Sequence, residues 1–360
     1  MKKLIKIVSI LTLCFNIFLF SFNVLSEELT FKLEKIGDAI SHPWGMAALS
    51  DNSWLVTSRS GSLFKINIQT GIKQNIENTP EVFAKKRGGL LDVAVSGGDI
   101  YLCFSRPQNG GAATALYKAK LEGGVLRGGE FIFTSNQVSR SGRHFGCRIA
   151  FDDRYIYLSL GDRGARDSAQ DSTLYAGGIL RLNRDGQLAP AAKPGWLAGM
   201  FTKGNRNPQG MATHPQTGAI WVHEHGPKGG DEVNILKAGA NYGWPLLSYG
   251  QEYFGGKIGD GLTKAQGYTD PVWVWVPSIA PSGMAFYDKD MFAEFKGGLL
   301  VGSLKFRELY HLQLENGLPV SEQAYLKRKI GRIRDVAIAS DGSILLLSDE
   351  ANGGIYRLYR

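Results

Sequence analysis

The segment DVAIASDGSILLLSDEANGGIYRL, residues 335–358, decides the fold because its pattern recurs along the chain. An apolar residue and an alanine begin a short strand, a polar turn follows, and a second apolar strand leads to a third that ends in IYRL. Short apolar runs separated by polar, glycine-containing turns are typical of antiparallel strands. The segment therefore predicts three strands of one small sheet.

Six copies of this pattern share an alanine in the first strand. The alanines lie at intervals of 47, 56, 62, 73 and 52 residues, at Ala47, Ala94, Ala150, Ala212, Ala285 and Ala337. Repeats of this length indicate propeller blades, because β-solenoid repeats are far shorter. We predict an all-β chain, a six-bladed β-propeller of four-stranded antiparallel blades. The stretch FKLEKI, residues 31–36, is expected to join the last blade and close the ring, and the longest inserted loops are expected at 185–206 and 241–281.

The start of the chain differs from the repeats. Lysines precede a mostly apolar run from residue 7 to residue 22, and small residues, Val24 and Ser26, follow it. This pattern predicts a secretory signal peptide over 1–26, a single propeller domain over 27–360, and a periplasmic or secreted protein with no stable membrane insertion after cleavage. An uncleaved anchor is the alternative, because the run is just long enough to span a bilayer, but asparagines in and after it disfavour insertion.

The charge of the chain suits a small anionic ligand better than nucleic acid. Removal of the first 26 residues would take away three lysines and no acid, which lowers the net charge from +8 to +5. The positive charge is spread along the chain without a basic run or a basic-aromatic stripe, so no nucleic-acid partner is expected. Cys103 and Cys147 would then remain in an oxidising compartment, where a disulfide and two buried thiols are both open.

Two polar residues flank the strands of the third repeat. His144 stands just before the first strand in SGRHFGCRIAF, and Asp162 stands just after the next strand in LSLGDRG. Adjacent antiparallel strands bring such ends together, so Asp162 is placed to orient His144. A carboxylate that holds an imidazole is the usual arrangement of a general base, although a structural pair at a blade rim has the same spacing.

Cations occupy comparable positions in the next three repeats. GNRNPQGM carries Arg206 beside Asn207, GSLKF carries Lys305, and GRIRDV carries Arg332 and Arg334. The last two point to the same side of an extended chain. If they meet at the axis, they suit a small polyanion. Rim salt bridges with neighbouring acids are the alternative.

The stretch HEHGPKGGDEVN, residues 223–234, invites a metal interpretation. Its two histidines share one side of a strand, but zinc needs a third ligand, and no other histidine recurs at metal spacing. A calcium site in the turn fits this stretch better than a zinc site. The carbonyls of Gly226 and Pro227 can face outward, and hard cations such as calcium accept carbonyl oxygens as ligands. A plain turn is the alternative.

Taken together, these motifs resemble the soluble pyrroloquinoline quinone-dependent aldose sugar dehydrogenases, also called soluble glucose dehydrogenase-like proteins. The similarity runs from HPWGMA at residue 42 to GGIYRL near the end of the chain. The matching motifs, in order, are HFGCRIAF, GNRNPQG, EHGPKGGDEVN, NYGWP, SGMAFY and GRIRDV.

The resemblance implies oxidation of an aldose at C1 to a lactone. His144 would remove the proton from the anomeric hydroxyl while Asp162 orients it, and hydride would pass from C1 to C5 of the quinone. Arg206 and Asn207 would contact the reactive quinone oxygens.

The resemblance also assigns residues that hold the cofactor and its metal. Lys305, Arg332 and Arg334 would bind the carboxylates of the quinone. Gly226 and Pro227 would offer their carbonyls to a calcium ion that also binds the quinone.

Three more positions match the family, and one departs from it. Glu232 and Tyr242 match a second, structural calcium site, and Tyr253 matches a sugar-contacting position. The family motif GQGGLLD reads RGGLLD here, which puts Arg87 where a glutamine helps to position the sugar. A longer cation there would alter substrate preference, lower activity, or select an acidic sugar.

Two other functions fit a propeller of this kind. A calcium-dependent lactonase-type hydrolase would need a metal held mainly by carboxylates at the axis, and it leaves the cations of the fifth and sixth repeats unexplained. A sugar-binding propeller without catalysis is conceivable because of Arg87. The particular sugar, the electron acceptor and the oligomeric state do not follow from the sequence.

Overall fold

The six alanine-centred segments form the innermost strands of six four-stranded antiparallel sheets in the computed structural model, which describes residues 31–360. Lys32–Arg360 make up one compact unit. The predicted signal peptide and the domain start at residue 27 lie outside the described residues.

The strands follow one another from the inside of each blade to the outside. The first three blades comprise β2 (Pro43–Ala48), β3 (Ser53–Ser58), β4 (Leu63–Asn67) and β5 (Lys73–Ile76), then β6 (Leu90–Ser96), β7 (Asp99–Gln108), β8 (Gly111–Glu122) and β9 (Val125–Thr134), then β10 (Gly146–Phe151), β11 (Tyr155–Leu160), β12 (Ile179–Asn183) and β13 (Met200–Thr202).

The fourth and fifth blades are built in the same way. They comprise β14 (Pro208–Thr213), β15 (Ile220–Glu224), β16 (Asp231–Ile235) and β17 (Trp273–Trp275), then β18 (Pro281–Phe286), β19 (Leu299–Ser303), β20 (Leu309–Glu315) and β21 (Leu318–Tyr325). Both segments predicted as loops therefore include an outermost strand, β13 in the first and β17 in the second. Within residues 31–360 the only helices are two short 3-10 turns, Arg166–Gln170 and Ala293–Phe295.

The sixth blade closes the ring with a strand from the other end of the chain. It comprises β22 (Ile333–Ile338), β23 (Ile344–Ser348), β24 (Gly353–Tyr359) and β1 (Lys32–Ile40). β1 pairs with β24, with Leu33 opposite Leu358. Each innermost strand contacts those of both neighbouring blades, and β22 contacts β2. The predicted six-bladed propeller and its closing strand are confirmed.

The core lies between adjacent blades. Blades one and two pack through fully buried Leu55, Leu90 and Leu102, and the other interfaces are built from similar apolar residues. Each such side chain contributes roughly 1.5–3 kcal/mol when it leaves water. Because both faces of every sheet are covered only by its neighbours, the ring is the smallest stable unit.

A disulfide joins the second and third blades. Cys103 of β7 and Cys147 of β10 form this bridge, with a Cα–Cα distance of 5.5 Å, so the two cysteines are not separate buried thiols.

No helix within residues 31–360 is long and apolar enough to cross a membrane.

Ion pairs close the central channel. Arg148 of β10 lies on the axis, and its Nη1 is 3.1 Å from Asp92 of β6 and 3.0 Å from Asp335 of β22. Its Nε donates to the carbonyl of Gln209 on β14, at 2.6 Å. Burial raises the pKa of Asp92 to about 6, although Arg148 opposes the shift. The guanidinium thus connects four blades and separates one end of the channel from the other.

Candidate active site

A cavity of about 750 Å³ opens at the end of the channel where the innermost strands begin. All six blades contribute to its wall. Representative lining residues are Trp44, Leu91, Gly146, Gln209, Ala280 and Arg334. Every innermost strand shifts its register once against the second strand near this end. Such bulges turn side chains away from the regular alternation and are frequent beside active sites.

The cavity wall is strongly positive. Its lining residues include no aspartate or glutamate within the described part of the chain, but they include seven basic residues, Arg59, Lys86, Arg87, Arg143, Arg206, Arg332 and Arg334. Of these seven, only Arg334 forms an ion pair within residues 31–360, with Asp349 at 2.7 Å. The Nε atoms of Arg59, Arg206 and Arg334 are buried without a hydrogen-bond partner. Because six of the seven basic residues have no ion-pair partner within residues 31–360, the wall carries a net positive charge and favours an anionic ligand.

His144 and Asp162 lie together as the strand ends predict. The Nδ1 atom of His144 is 2.6 Å from Asp162 Oδ1. Asp162 is fully buried and also accepts bonds from Gly164 N at 2.6 Å and from the indole Nε1 of Trp244 at 2.9 Å. Since the carboxylate accepts all three bonds, Nδ1 of His144 carries the proton and Nε2 presents a lone pair to the cavity.

The electrostatics keep this pair in the form that a base requires. Burial lowers the pKa of His144, and repulsion from Arg206 and Arg143 adds to the effect against the opposing Asp162. Burial alone would raise the pKa of Asp162, but hydrogen bonds from His144 and Gly164 and the charge of Arg206 lower it overall. Near neutral pH the pair is therefore a neutral imidazole beside a carboxylate.

Arg206 and Asn207 are held at the start of β14 by a buried carboxylate. Their backbone N–H groups donate to Glu224, and the Glu224–Asn207 bond measures 3.2 Å. The Arg206 Nη1 atom donates to the carbonyls of His225 at 3.0 Å and Gly226 at 3.1 Å. The guanidinium is thereby fixed on the cavity wall beside the Gly226 turn.

The turn after β15 reaches the cavity through Gly226 and Pro227, which both line it. His225 also lines it, and its Nε2 is 2.6 Å from the carbonyl of Pro281. His223 is fully buried with no hydrogen-bond partner on either ring nitrogen. No group of three or more His, Cys, Asp or Glu side chains that could hold a metal occurs within residues 31–360, so a zinc site on these histidines has no support.

Glu232 and Tyr242 line a second, much smaller cavity of about 10 Å³, together with Glu224. Such a volume is just large enough for one water-sized particle. Burial raises the pKa of Glu232 well above its usual range, and the nearby Glu224 adds to the shift. The Tyr242 hydroxyl donates to the carbonyl of Ile235 at 2.8 Å, which leaves the main-chain carbonyl of Tyr242 as its free oxygen. The Arg206 guanidinium also borders this cavity. A small cation bound between the Glu232 and Glu224 carboxyl groups would offset the repulsion that raises the pKa of Glu232.

The three predicted carboxylate-binding cations differ in position. Arg334 and Arg332 line the cavity, and Arg332 Nη1 donates to the carbonyl of Leu304 at 3.1 Å. Lys305 does not line it, but its ammonium group donates to the carbonyl of Ser278, a lining residue, at 3.0 Å. Of the alternative, salt bridges with neighbouring acids, the structure shows one within residues 31–360, between Arg334 and Asp349. Asp335 pairs with Arg148 instead.

Arg87 and Tyr253 lie at the mouth of the cavity and line it. Tyr253 is 59% exposed, and its hydroxyl oxygen is 3.4 Å from Arg206 Nη2. The backbone N–H of Arg87 donates to Gly142 at 2.9 Å, which ties its loop to the segment just before His144. The predicted sugar-contacting pair therefore borders the same opening as the predicted base.

Sequence reasoning missed several residues of the wall. Arg59 directly follows β3, in the same place relative to its blade as Asp162, so the signal that identified Asp162 would have found it. Trp244 belongs to the motif NYGWP, but the motif does not indicate its hydrogen bond to Asp162, because Trp244 lies in a long insertion. Lys86 and Arg143 stand in loops without a repeat pattern.

Comparison with known proteins agrees with this geometry. The sequence profile of the glucose / sorbosone dehydrogenase family matches residues 40–357. The chain is 36% identical to aldose sugar dehydrogenase YliI of Escherichia coli (strain K12), over 91% of this chain and 93% of that protein. It superposes on the crystal structure of the soluble E. coli aldose sugar dehydrogenase in the apo-form with a TM-score of 0.87 and 34% identity, covering 91% of this chain and 99% of that one.

A second solved structure is the PQQ-bound form of aldose sugar dehydrogenase from Streptomyces coelicolor. The TM-score is 0.75 at 26% identity, over 92% of this chain and 98% of that one. The family resemblance predicted from the motifs is confirmed. The chain belongs to the glucose / sorbosone dehydrogenase family.

Proposed function

We propose that this protein oxidises aldose sugars at C1 to lactones, with pyrroloquinoline quinone as cofactor and calcium as its metal. The observation that carries the proposal is the His144–Asp162 pair, which opens onto a cavity whose lining, within the described residues, includes seven lysines and arginines and no acidic residue. A base alone would serve many reactions, and a basic pocket alone would serve many ligands. Their combination fits a reaction that removes a proton beside a bound polyanion.

The cavity fits the quinone, whose carboxylates make it a polyanion. Arg332 and Arg334 would hold those carboxylates from the wall and Lys305 from beside it. The position of Arg332 and Arg334 on the cavity wall supports this assignment, because guanidinium groups bind carboxylates through charge-assisted hydrogen bonds. When bound, the quinone supplies a two-electron acceptor and calcium a Lewis acid that polarises it.

The donors for calcium are main-chain oxygens. Gly226 and Pro227 would offer carbonyls, which are ligands that calcium accepts, and the Gly226 carbonyl already faces the Arg206 guanidinium. The positive wall repels a free cation, so calcium should bind here only together with the anionic cofactor. Glu232 and Tyr242, joined by Glu224, would hold a second, structural calcium in the small cavity.

The chain's own groups then account for proton removal. His144 would accept the proton of the anomeric hydroxyl at Nε2, because Nδ1 is occupied by its bond to Asp162. The buried carboxylate stabilises the imidazolium that forms. Arg206 and Asn207 would contact the quinone oxygens, where the Arg206 charge stabilises developing negative charge. Tyr253 and Arg87 would contact the sugar at the mouth.

We further propose that the protein works in the periplasm or is secreted, as the apolar N-terminal run suggests, and passes its electrons to an acceptor still to be identified. The absence of acidic side chains from the wall of the main cavity, within residues 31–360, gives a carboxylate-bound metal no ligands there. A lactonase of that type gains no support.

The experiment is reconstitution of the purified protein with the quinone and calcium, followed by dye reduction with a panel of neutral aldoses. Sugar-dependent reduction is expected, with loss in His144→Ala and without the cofactor. A matched control is His214→Ala, which removes a histidine outside the cavity wall. Undiminished turnover by His144→Ala, or turnover by cofactor-free protein, would contradict the proposed mechanism.

A further inference from the structure

The basic residues of the main cavity fall into two layers. Arg206 and Arg334 are buried, and Arg59 and Arg332 are half-buried, so these four form the inner layer. The outer layer consists of Lys86, Arg87 and Arg143, which are exposed at the mouth. The proposed cofactor contacts involve Arg206, Arg332 and Arg334 of the inner layer, whereas in the outer layer only Arg87 has a proposed contact, with the sugar.

The outer layer is built from two loops that are fastened together. Lys86 Nζ donates to the carbonyl of Ser141 at 3.1 Å, and Arg87 N donates to Gly142 at 2.9 Å. The Ser141 hydroxyl in turn donates to the carbonyl of Arg163 at 2.6 Å. The second of the two loops leads directly into His144. The three cations are therefore held at the mouth of the cavity, on loops joined to the segment that carries the predicted base.

No acidic side chain neutralises these cations within the described residues. Lys86, Arg87 and Arg143 form no ion pair there, and the guanidinium groups of Arg87 and Arg143 donate no hydrogen bond to the protein. Burial lowers the pKa of Arg332, and repulsion from the charge of Arg87 lowers it further. The charges of the outer layer therefore repel those of the inner layer. An anion at the mouth would relieve this repulsion.

We propose that Lys86, Arg87 and Arg143 form an anion-binding subsite that selects aldoses carrying a carboxylate or phosphate at the end away from C1. This inference rests on the proposed function and specifies its substrate class. Arginine binds such groups with two parallel hydrogen bonds, and glutamine in place of Arg87 would offer neither the charge nor that geometry.

The test compares kcat/KM of the cofactor-loaded protein for glucose, glucuronate and glucose 6-phosphate, so that the two anion types are separate arms. We expect a higher kcat/KM for at least one anionic sugar than for glucose. We expect Arg87→Gln and Arg143→Gln to lower the ratio of anionic to neutral kcat/KM roughly 3- to 10-fold each. Arg127→Gln is the matched control, because it removes an exposed charge from β9 outside the cavity.

Two further measurements separate the possible outcomes. Raising the salt concentration should lower kcat/KM for the anionic sugars and leave glucose nearly unchanged, because exposed charges are screened. Calorimetric binding of glucuronate to the loaded protein, weakened in Arg87→Gln, tests the subsite even if no sugar is oxidised.

Three results would overturn the inference. The first is oxidation of neutral aldoses with no anionic preference, which leaves the proposed function standing. The second is an equal effect of Arg87→Gln on glucose and on the anionic sugars. The third is an effect of the variants on cofactor loading alone, which would make the outer layer an entry path for the quinone.

Discussion

Replacement of Asp162 by asparagine tests the predicted base most directly. The carboxylate accepts three N–H groups, with His144 and Gly164 on Oδ1 and Trp244 on Oδ2. An amide has one oxygen and one NH₂ group, so it cannot accept on both sides. In either orientation one fixed N–H group, that of Gly164 or that of Trp244, faces another donor.

The two orientations have different consequences for the imidazole. With its oxygen toward His144, the amide keeps the tautomer but loses the charge that stabilises the imidazolium. With its nitrogen toward His144, it moves the proton to Nε2 and removes the base. We therefore expect kcat to fall about 10²- to 10⁴-fold with little change in KM. The unsatisfied N–H group should lower the free energy of unfolding by about 1–3 kcal/mol.

A second substitution, Trp244→Phe, tests whether the loss of kcat depends on how the new amide is oriented. In Trp244→Phe the indole N–H is gone, so the amide of Asp162→Asn can turn its NH₂ group toward the phenyl ring and keep its oxygen toward His144 and Gly164. The loss of kcat caused by Asp162→Asn should therefore be smaller in the Trp244→Phe background than in the wild type. The coupling is expected at about 0.5–3 kcal/mol.

The assay is steady-state dye reduction over a range of pH, with unfolding curves for each variant. Because only the neutral imidazole is active, kcat/KM rises with pH through the pKa of His144, which burial lowers. Loss of the carboxylate removes a contribution that favours the imidazolium, so the acid limb in Asp162→Asn should move to lower pH. An Asp162→Asn variant within about fivefold of wild-type kcat, or strictly additive losses in the double variant, would refute the reasoning.

Three other outcomes are expected. Arg332→Gln should weaken quinone binding about 10- to 100-fold, measured by equilibrium dialysis, with little change in melting temperature, because the Arg332 side chain makes only one hydrogen bond within residues 31–360. In cofactor-free protein, calcium should raise the melting temperature through the small cavity alone, and Glu232→Gln should abolish that rise; an equal rise in the variant would exclude this site. Replacement of Cys103 and Cys147 by serine should lower the free energy of unfolding by about 4 kcal/mol in urea titrations, since the bridge closes a loop of 44 residues, and an unchanged midpoint would contradict this.

The architecture could be predicted because each blade repeats one local pattern. Ala47 pairs with Leu55 in the first blade and Ala337 with Leu345 in the last, so the alanine marks the same register in both. The pairing of β1 with β24 also followed from pattern, since an incomplete last repeat needs an outer strand from elsewhere. β13 and β17 are short strands inside long insertions, where hydrophobic alternation is too brief to recognise.

The repeat pattern predicts site residues only where they border regular strands, and the loop residues Arg87 and Tyr253 followed from the family resemblance alone. His144, Asp162 and Arg334 stand at strand ends, and the repeat fixes which end of the channel they face. Trp244 reaches Asp162 from 82 residues away through an insertion whose path depends on tertiary contacts. No periodicity encodes such a path, so the hydrogen bond that completes the His144–Asp162 unit was beyond sequence reasoning.

One repeat position explains why the channel has a closed centre beneath an open cavity. The residue two places before each shared alanine is Asp92, Arg148 or Asp335 in three blades and glycine in the others, at Gly45, Gly210 and Gly283. An added Cβ at Gly45 would collide with Asp92, and one at Gly283 with Asp335. Gly45 and Gly283 therefore make room for charged side chains of neighbouring blades, whereas Gly210 makes room for His223 of its own blade.

Of the six residues one place nearer the start of the strand, four line the cavity, namely Trp44, Leu91, Gln209 and Arg334. Arg334 is tied to the closed centre, because its carbonyl accepts a bond from Arg148 at 3.3 Å while Gln209 Oε1 accepts from its Nη1 at 3.2 Å. Two adjacent positions of the repeat therefore belong to one hydrogen-bond network. The first position faces the cavity, and the second supplies the ion pairs of the closed centre. These hydrogen bonds fix the Arg334 side chain in place. Its guanidinium group therefore faces the cavity even when no ligand is bound.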